Sequence, residues 1–186
     1  MRLKKAVFLD RDGVINRVLV EKGPRETPTK PEELELLPGI PEALARLKTA
    51  GHLLVVVTNQ PNIAKGKCSR EDYSAIEKRL IELVGEGVLD AVYVCFHHPD
   101  PNQVVEMELL GDCDCRKPKP GLILLAAKQH DIDLQQSWLV GDSETDIAAG
   151  LAAGIPTNQL ILIGSGSTIG VATSSLLEAA IHITGE

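Results

Sequence analysis

The 186-residue sequence predicts an α/β fold in which a central parallel sheet is covered by helices on both faces. Three observations carry this expectation. Short runs rich in Val, Ile and Leu alternate with amphipathic stretches along the whole chain. Each run is bounded by polar or turn residues, as strands buried on both faces should be. Polar residues able to do chemistry recur directly after the runs, at the edge where open parallel sheets collect ligands.

The first strand is KAVFL, residues 5–9, and it stops at Asp10, with Gly13 permitting the sharp turn that follows. Residues 17–38 hold four prolines and many charges, which predicts an irregular excursion over the surface. A helix is expected at 40–50, stopped by Gly51, and then the strand HLLVVVT at 52–58. The next helix, 69–84, opens on Ser69 with Glu71 and Asp72 in its first turn, where their charge complements the positive helix end. The strand DAVYVCF at 90–96 leads into a second irregular excursion over 97–120. A helix at 121–130, the strand SWLVG at 137–141, a helix at 144–153 closed by Gly154, the strand QLILIG at 159–164 and a helix at 174–183 complete the order. The expectation is a Rossmann-like three-layer sandwich, residues 1–186 forming one domain, with too little apolar sequence in either excursion for a large cap domain.

Composition narrows the function. Hydrophobic residues make up 44% of the chain and charged residues 24%, an ordinary globular balance, and with 3% aromatic residues the core must be mainly aliphatic. The net charge is -7 and no long basic run occurs, so a nucleic-acid groove is not expected. A negatively charged substrate would need local Arg, Lys, backbone amides and metal. The apolar run after MRLKK is only four residues long, too short for a signal peptide, and no stretch approaches membrane-spanning length. A cytoplasmic protein without a membrane partner is expected.

Within FLDRDGVIN, Asp10 and Asp12 lie one residue apart at a strand end. Two carboxylates that close repel unless a cation or a shared proton offsets them, so the pair suggests a nucleophile, a proton-handling neighbour and a divalent ion between them. Asp12-Gly13 could alternatively be a simple turn. Thr58, Asn59 and Gln60 follow the second strand, Lys117 precedes the helix near Gly121, and Asp142 follows SWLVG with Asp146 one helical turn later.

Taken in order, DRDGV, VVVTN, RKPKPG and GDSETD resemble the motifs of phosphatases of the haloacid dehalogenase superfamily, over residues 7–150. The resemblance implies that Asp10 is a nucleophile forming an aspartyl phosphate and Asp12 the general acid and base. It implies that Thr58 bonds a phosphoryl oxygen and that Lys117 neutralises developing charge and orients Asp10. Mg²⁺ would be held by Asp10, the Asp12 backbone carbonyl and Asp142, with Asp146 behind them.

Cys95-x-His97 and Cys113-x-Cys115 form a second constellation. Three thiolates and one imidazole match a closed tetrahedral Zn²⁺ site, with a structural role for the metal. His98 could replace His97, and a disulfide or a chance group of reduced thiols are the alternatives. Cys68 stands apart and reads as an unliganded thiol.

The cysteine loop together with CRKPKPG narrows the resemblance to the small, capless subgroup that contains D-glycero-D-manno-heptose 1,7-bisphosphate 7-phosphatases and histidinol-phosphate phosphatases. The long loop between Cys95 and Cys113 favours removal of the 7-phosphate from a heptose bisphosphate, with histidinol phosphate or another small phosphomonoester as the alternative. The complete acid, base, lysine and metal set argues against a phosphate-binding or zinc-stabilised interaction protein that has lost turnover. Arg116, Asn59, Gln60 and Lys117 are then the expected substrate contacts, and a monomer is expected. Ser143 stands where many members carry Lys, and the segment around 17–20 departs from the subgroup's pattern.

Overall fold

The computed structural model describes residues 3–19, 26–164 and 169–185. Six parallel strands form one sheet in the order β3-β2-β1-β4-β5-β6: β1 is Ala6–Leu9, β2 Leu53–Asn59, β3 Ala91–Cys95, β4 Trp138–Gly141, β5 Leu160–Ile163 and β6 Val171–Thr173. Among the described residues the five α-helices are α1 (Ile40–Thr49), α2 (Arg70–Val84), α3 (Gly121–His130), α4 (Glu144–Ala153) and α5 (Leu176–Thr184).

Alternation along each strand sorts the core into two layers. Val7 and Leu9 pack with Leu54 and Val56 against α1, α2 and α5, whereas Ala6 and Phe8 pack with Val55 and Val57 against α3 and α4. Both faces of β1 are therefore fully buried, which explains why its sequence is apolar throughout. The helix limits follow local chemistry. The Ser69 hydroxyl accepts from the Asp72 amide in a capping box at the start of α2, and Gly154 ends α4 with a φ of 93°.

Five strands and five helices fall where the sequence predicts them, within one or two residues at most ends. The sixth strand was not anticipated, because Val171–Thr173 is only three residues long and carries no readable period. The excursion predicted over 17–38, of which residues 20–25 lie outside those described, is more than a surface loop. Leu34 is buried in the core, and residues 15–17 pair with 35–37 through backbone hydrogen bonds. The second excursion makes a small core of its own, in which Val104 and Leu109 join Ile63, Ala64 and Tyr73. The Val105 and Glu106 amides both donate to the Ala64 carbonyl, tying the loop to the segment after β2. Among the described residues no helix is long and apolar enough to cross a membrane.

Strand β1 is flanked by β2 and β4, with Leu9 in register with Val56 and Val140. The chain reverses its winding direction here, so the carboxyl ends of three strands open into one crevice.

Candidate active site and metal centre

Asp10, Asp12, Thr58, Asn59, Lys117, Asp142 and Asp146 line one cavity of about 170 Å³ at the carboxyl ends of β1, β2 and β4. Val18, Thr27, Ser143 and Thr145 complete its walls. Ser143 and the segment around 17–20 stood out in the sequence as departures on the substrate side, but Thr27 and Thr145 did not, because nothing local distinguishes a loop Thr that faces a crevice from one that faces water.

Lys117 is the hub. Its ammonium donates to Asp10 Oδ1 at 2.7 Å and to the Val57 carbonyl at 2.8 Å, and pairs with Asp146 Oδ1 at 2.5 Å, which employs all three of its protons. Burial pulls its pKa down, but the Asp10 and Asp146 carboxylates outweigh that and leave it raised, so Lys117 is a fixed cation. Asn59 holds this lysine's backbone from the side, its amide donating to the Lys117 carbonyl and accepting from the Lys117 N–H, each at 3.1 Å.

Burial pushes the Asp10 carboxyl up to about 7; Lys117 opposes the shift, and Asp146 and Asp12 add to it. The carboxylates of Asp10, Asp142 and Asp146 offer oxygens that all lie within 4.8 Å of one another. Three carboxylates against one ammonium leave two negative charges in surplus, a deficit that a divalent cation with oxygen ligands would match. Asp146, expected only behind the metal ligands, belongs to this group directly. Its other oxygen caps α4 by accepting from the Ser143 amide and hydroxyl at 3.1 and 2.5 Å.

The Asp12 carboxylate does not join that cluster, contrary to the expectation of an ion held between two adjacent aspartates. Arg11 Nε and Nη2 donate to its two oxygens, each at 3.1 Å; Asn16 donates at 2.9 Å and Gln60 at 2.5 Å. The physical reason is Arg11 itself: its guanidinium, 1% exposed, lies against Asp12 and competes for it. Sequence reasoning missed Arg11 and Asn16, although the alternation of Asp, Arg and Asp was a visible signal. Gln60 is also changed by the structure. Expected to meet substrate, it is 2% exposed and spends its amide on Asp12 and on Thr58 Oγ1 at 2.9 Å. Arg116 does not line the cavity; it is partly buried and donates through Nη1 to the His97 carbonyl at 3.0 Å.

The cysteine constellation assembles. Cys95, Cys113 and Cys115 sulfurs lie 3.1–3.5 Å apart, and His97 Nδ1 is 3.6 Å from Cys115 and 3.8 Å from Cys95. All four cysteines of the chain are free thiols. A tetrahedral ion with sulfur bonds of about 2.3 Å needs ligand atoms about 3.8 Å apart, near the separations found. His98 is committed elsewhere, its Nδ1 accepting from the Asp100 amide at 3.2 Å, and Cys68 stands outside the group.

Fold and site together define a class: an α/β domain with a buried carboxylate–lysine–carboxylate chain in a crevice at the carboxyl ends of its strands, the arrangement of a phosphomonoester hydrolase. Residues 114–181 match a family model described as HAD-hydrolase-like. A D-glycero-beta-D-manno-heptose-1,7-bisphosphate 7-phosphatase of Helicobacter pylori is 39% identical over 165 residues, 87% of this chain and 86% of that protein. The protein of the same name from Pasteurella multocida is 40% identical, over 87% of this chain and 84% of its own. Among solved structures, a D,D-heptose 1,7-bisphosphate phosphatase from B. bronchiseptica complexed with magnesium and phosphate superposes with a TM-score of 0.76 at 29% identity, covering 97% of this chain and 98% of the other. An HAD-like phosphatase from Mesorhizobium loti reaches a TM-score of 0.80 at 32% identity, covering 98% and 86%. The chain belongs to the haloacid dehalogenase-like phosphatases, in the branch that holds these heptose bisphosphate 7-phosphatases.

Proposed function

We propose that the protein removes the 7-phosphate of D-glycero-β-D-manno-heptose 1,7-bisphosphate through a phosphoaspartate on Asp10. The single observation that carries the reading is the chain Asp10–Lys117–Asp146 in a cavity that Thr58 and Asp142 also line. The relatives' names supply the sugar and the anomer.

An Asp10 oxygen attacks phosphorus while the bond to the sugar oxygen breaks, and Asp12 gives that oxygen its proton. A water then attacks the phosphoaspartate, yields a proton to Asp12, and the phosphorus–Asp10 bond breaks to release inorganic phosphate. Lys117 holds Asp10 in line and offsets the equatorial oxygens' charge, which Thr58 also meets. The start of α4, where Ser143 and Thr145 line the cavity, presents its positive end to the same anion.

Asp10, Asp142 and the Asp12 carbonyl would hold Mg²⁺, with Asp146 at hand. Bound there, Mg²⁺ supplies electrostatic stabilisation of the transferring phosphoryl group. Zn²⁺ fits Cys95, His97, Cys113 and Cys115, a soft and closed donor set suited to a structural metal. It would brace the loop that carries Arg116 and Lys117. Arg116, anchored by one nitrogen to His97, would turn the rest of its fork to the second phosphate. Asn59 and Gln60 serve by positioning Lys117 and Asp12 respectively.

The test is phosphate release with Mg²⁺ from both anomers of the heptose bisphosphate and from histidinol phosphate. Preference for the β anomer is expected. Preference for histidinol phosphate would overturn the substrate assignment and leave the chemistry in place.

A further inference from the structure

We propose that Arg11 and Gln60 are positioning residues for Asp12, setting the orientation on which the site depends wherever a leaving group must be protonated or a water activated. The proposal rests on the phosphoaspartate reading above.

An ionised carboxylate has about four lone-pair positions. Four nitrogens donate to the Asp12 oxygens, two from the Arg11 fork, one from Asn16 and one from Gln60, and a proton taken up by Asp12 displaces one of these donors while the others hold the group in place. Such a carboxylate cannot rotate without breaking several bonds at once, yet it still lines the cavity. The clamp is itself fixed. Arg11 sits over the Tyr73 ring, 5.8 Å from its centroid, and Tyr73 packs edge-on against Phe96 at 4.9 Å, between the metal-binding positions Cys95 and His97. Gln60 reaches Thr58 as well as Asp12, so one amide sets the acid–base group relative to a phosphate-binding hydroxyl.

Burying a guanidinium for stability alone is poor economy, since a well-packed apolar side chain of similar volume usually serves as well or better. Arg11 lies between the two aspartates of the site, and its nearest carboxylate is the one assigned to proton transfer. The fork geometry suits this task, because two parallel N–H bonds fix a carboxylate plane that a lysine would leave free to turn.

The test compares the wild type with Arg11→Met, Arg11→Lys, Gln60→Met and Asp10→Asn on two substrates, the heptose bisphosphate and 4-nitrophenyl phosphate. With the aryl ester, the Asp10–phosphorus bond forms as the phosphorus–aryloxide bond breaks, and the aryloxide departs with the electron pair as a stable anion that needs no proton. The second step still needs Asp12. Arg11→Met and Gln60→Met are therefore expected to lose about 10²-fold in kcat on the heptose bisphosphate, the size of a general acid–base contribution. Their KM should stay within about twofold, as for an interaction made only in the transition state. On the aryl ester they should release nitrophenolate in a stoichiometric burst before a slow steady state.

Arg11→Lys should fall between these variants and the wild type, and Asp10→Asn should show no burst. Equal losses on both substrates without a burst, or wild-type turnover on both, would overturn the assignment. If Arg11→Met does not fold, Gln60→Met carries the same readout, since it removes one donor and no charge. Turnover by Asp10→Asn would instead sink the phosphoaspartate reading, and this inference with it.

Discussion

At the scale of single residues, the site is an arrangement of charges that only makes sense together. Asp10 is kept near neutrality in pKa by burial and by its acidic neighbours, and it is tethered by Lys117. Replacing it by Asn keeps the shape and removes the proposed nucleophile. Asp10→Asn should abolish phosphate release while circular dichroism and the melting temperature stay close to wild type. The raised pKa also has a stability consequence. Between the ordinary carboxyl value of 3.8 and about 7, the metal-free folded state binds more protons than the unfolded one, so the Asp10 contribution to stability falls as pH rises through that window. Mg²⁺ held as proposed would take the deprotonated form, so the rise in melting temperature on adding Mg²⁺ should be larger at pH 8 than at pH 5. An equal rise at both values would show that Asp10 does not titrate there.

At the scale of elements, small residues let helices approach the sheet closely enough to complete the site. A Cβ on Gly141, the last residue of β4, would collide with the Asp146 side chain on α4. Gly141→Ala should therefore push Asp146 away from Lys117 and cut kcat by at least about tenfold, a loss read as removed transition-state stabilisation. Gly150 lies within α4, where a Cβ would come within 2.6 Å of Leu160 and 3.2 Å of Leu139. Gly150→Val should overpack that contact at a cost of about 1–3 kcal/mol, seen in denaturant melts, with activity per folded molecule retained. The two glycines separate chemistry from packing on one helix. In the sequence neither glycine shows its role, one ending β4 and the other lying inside α4, and only the facing residue distinguishes them.

At the scale of the whole molecule, one loop joins the cysteine group to the cavity, because the segment from Cys113 to Lys117 runs directly from the one into the other. Metal analysis of the folded protein should find about one zinc per chain, the stoichiometry of a closed four-ligand site. Stripping it should lower the melting temperature and the turnover together, and zinc readdition should restore both. A folded, ordered and active protein free of zinc would refute that role. The order of strands and helices, the edge at which the site forms, and most residues brought into the cavity were legible in the sequence, because each depends on local patterning and on short motifs next to strand ends. Asp12 facing Arg11, Gln60 turned inward, Asp146 paired with Lys117 and Thr27 lining the wall were not legible. Partner choice among buried polar groups depends on distances across the fold, between residues 48 positions apart for Asp12 and Gln60. A linear pattern records which side chains reach the crevice; which of several donors captures a given carboxylate is settled only when packing removes water and leaves those groups to satisfy one another.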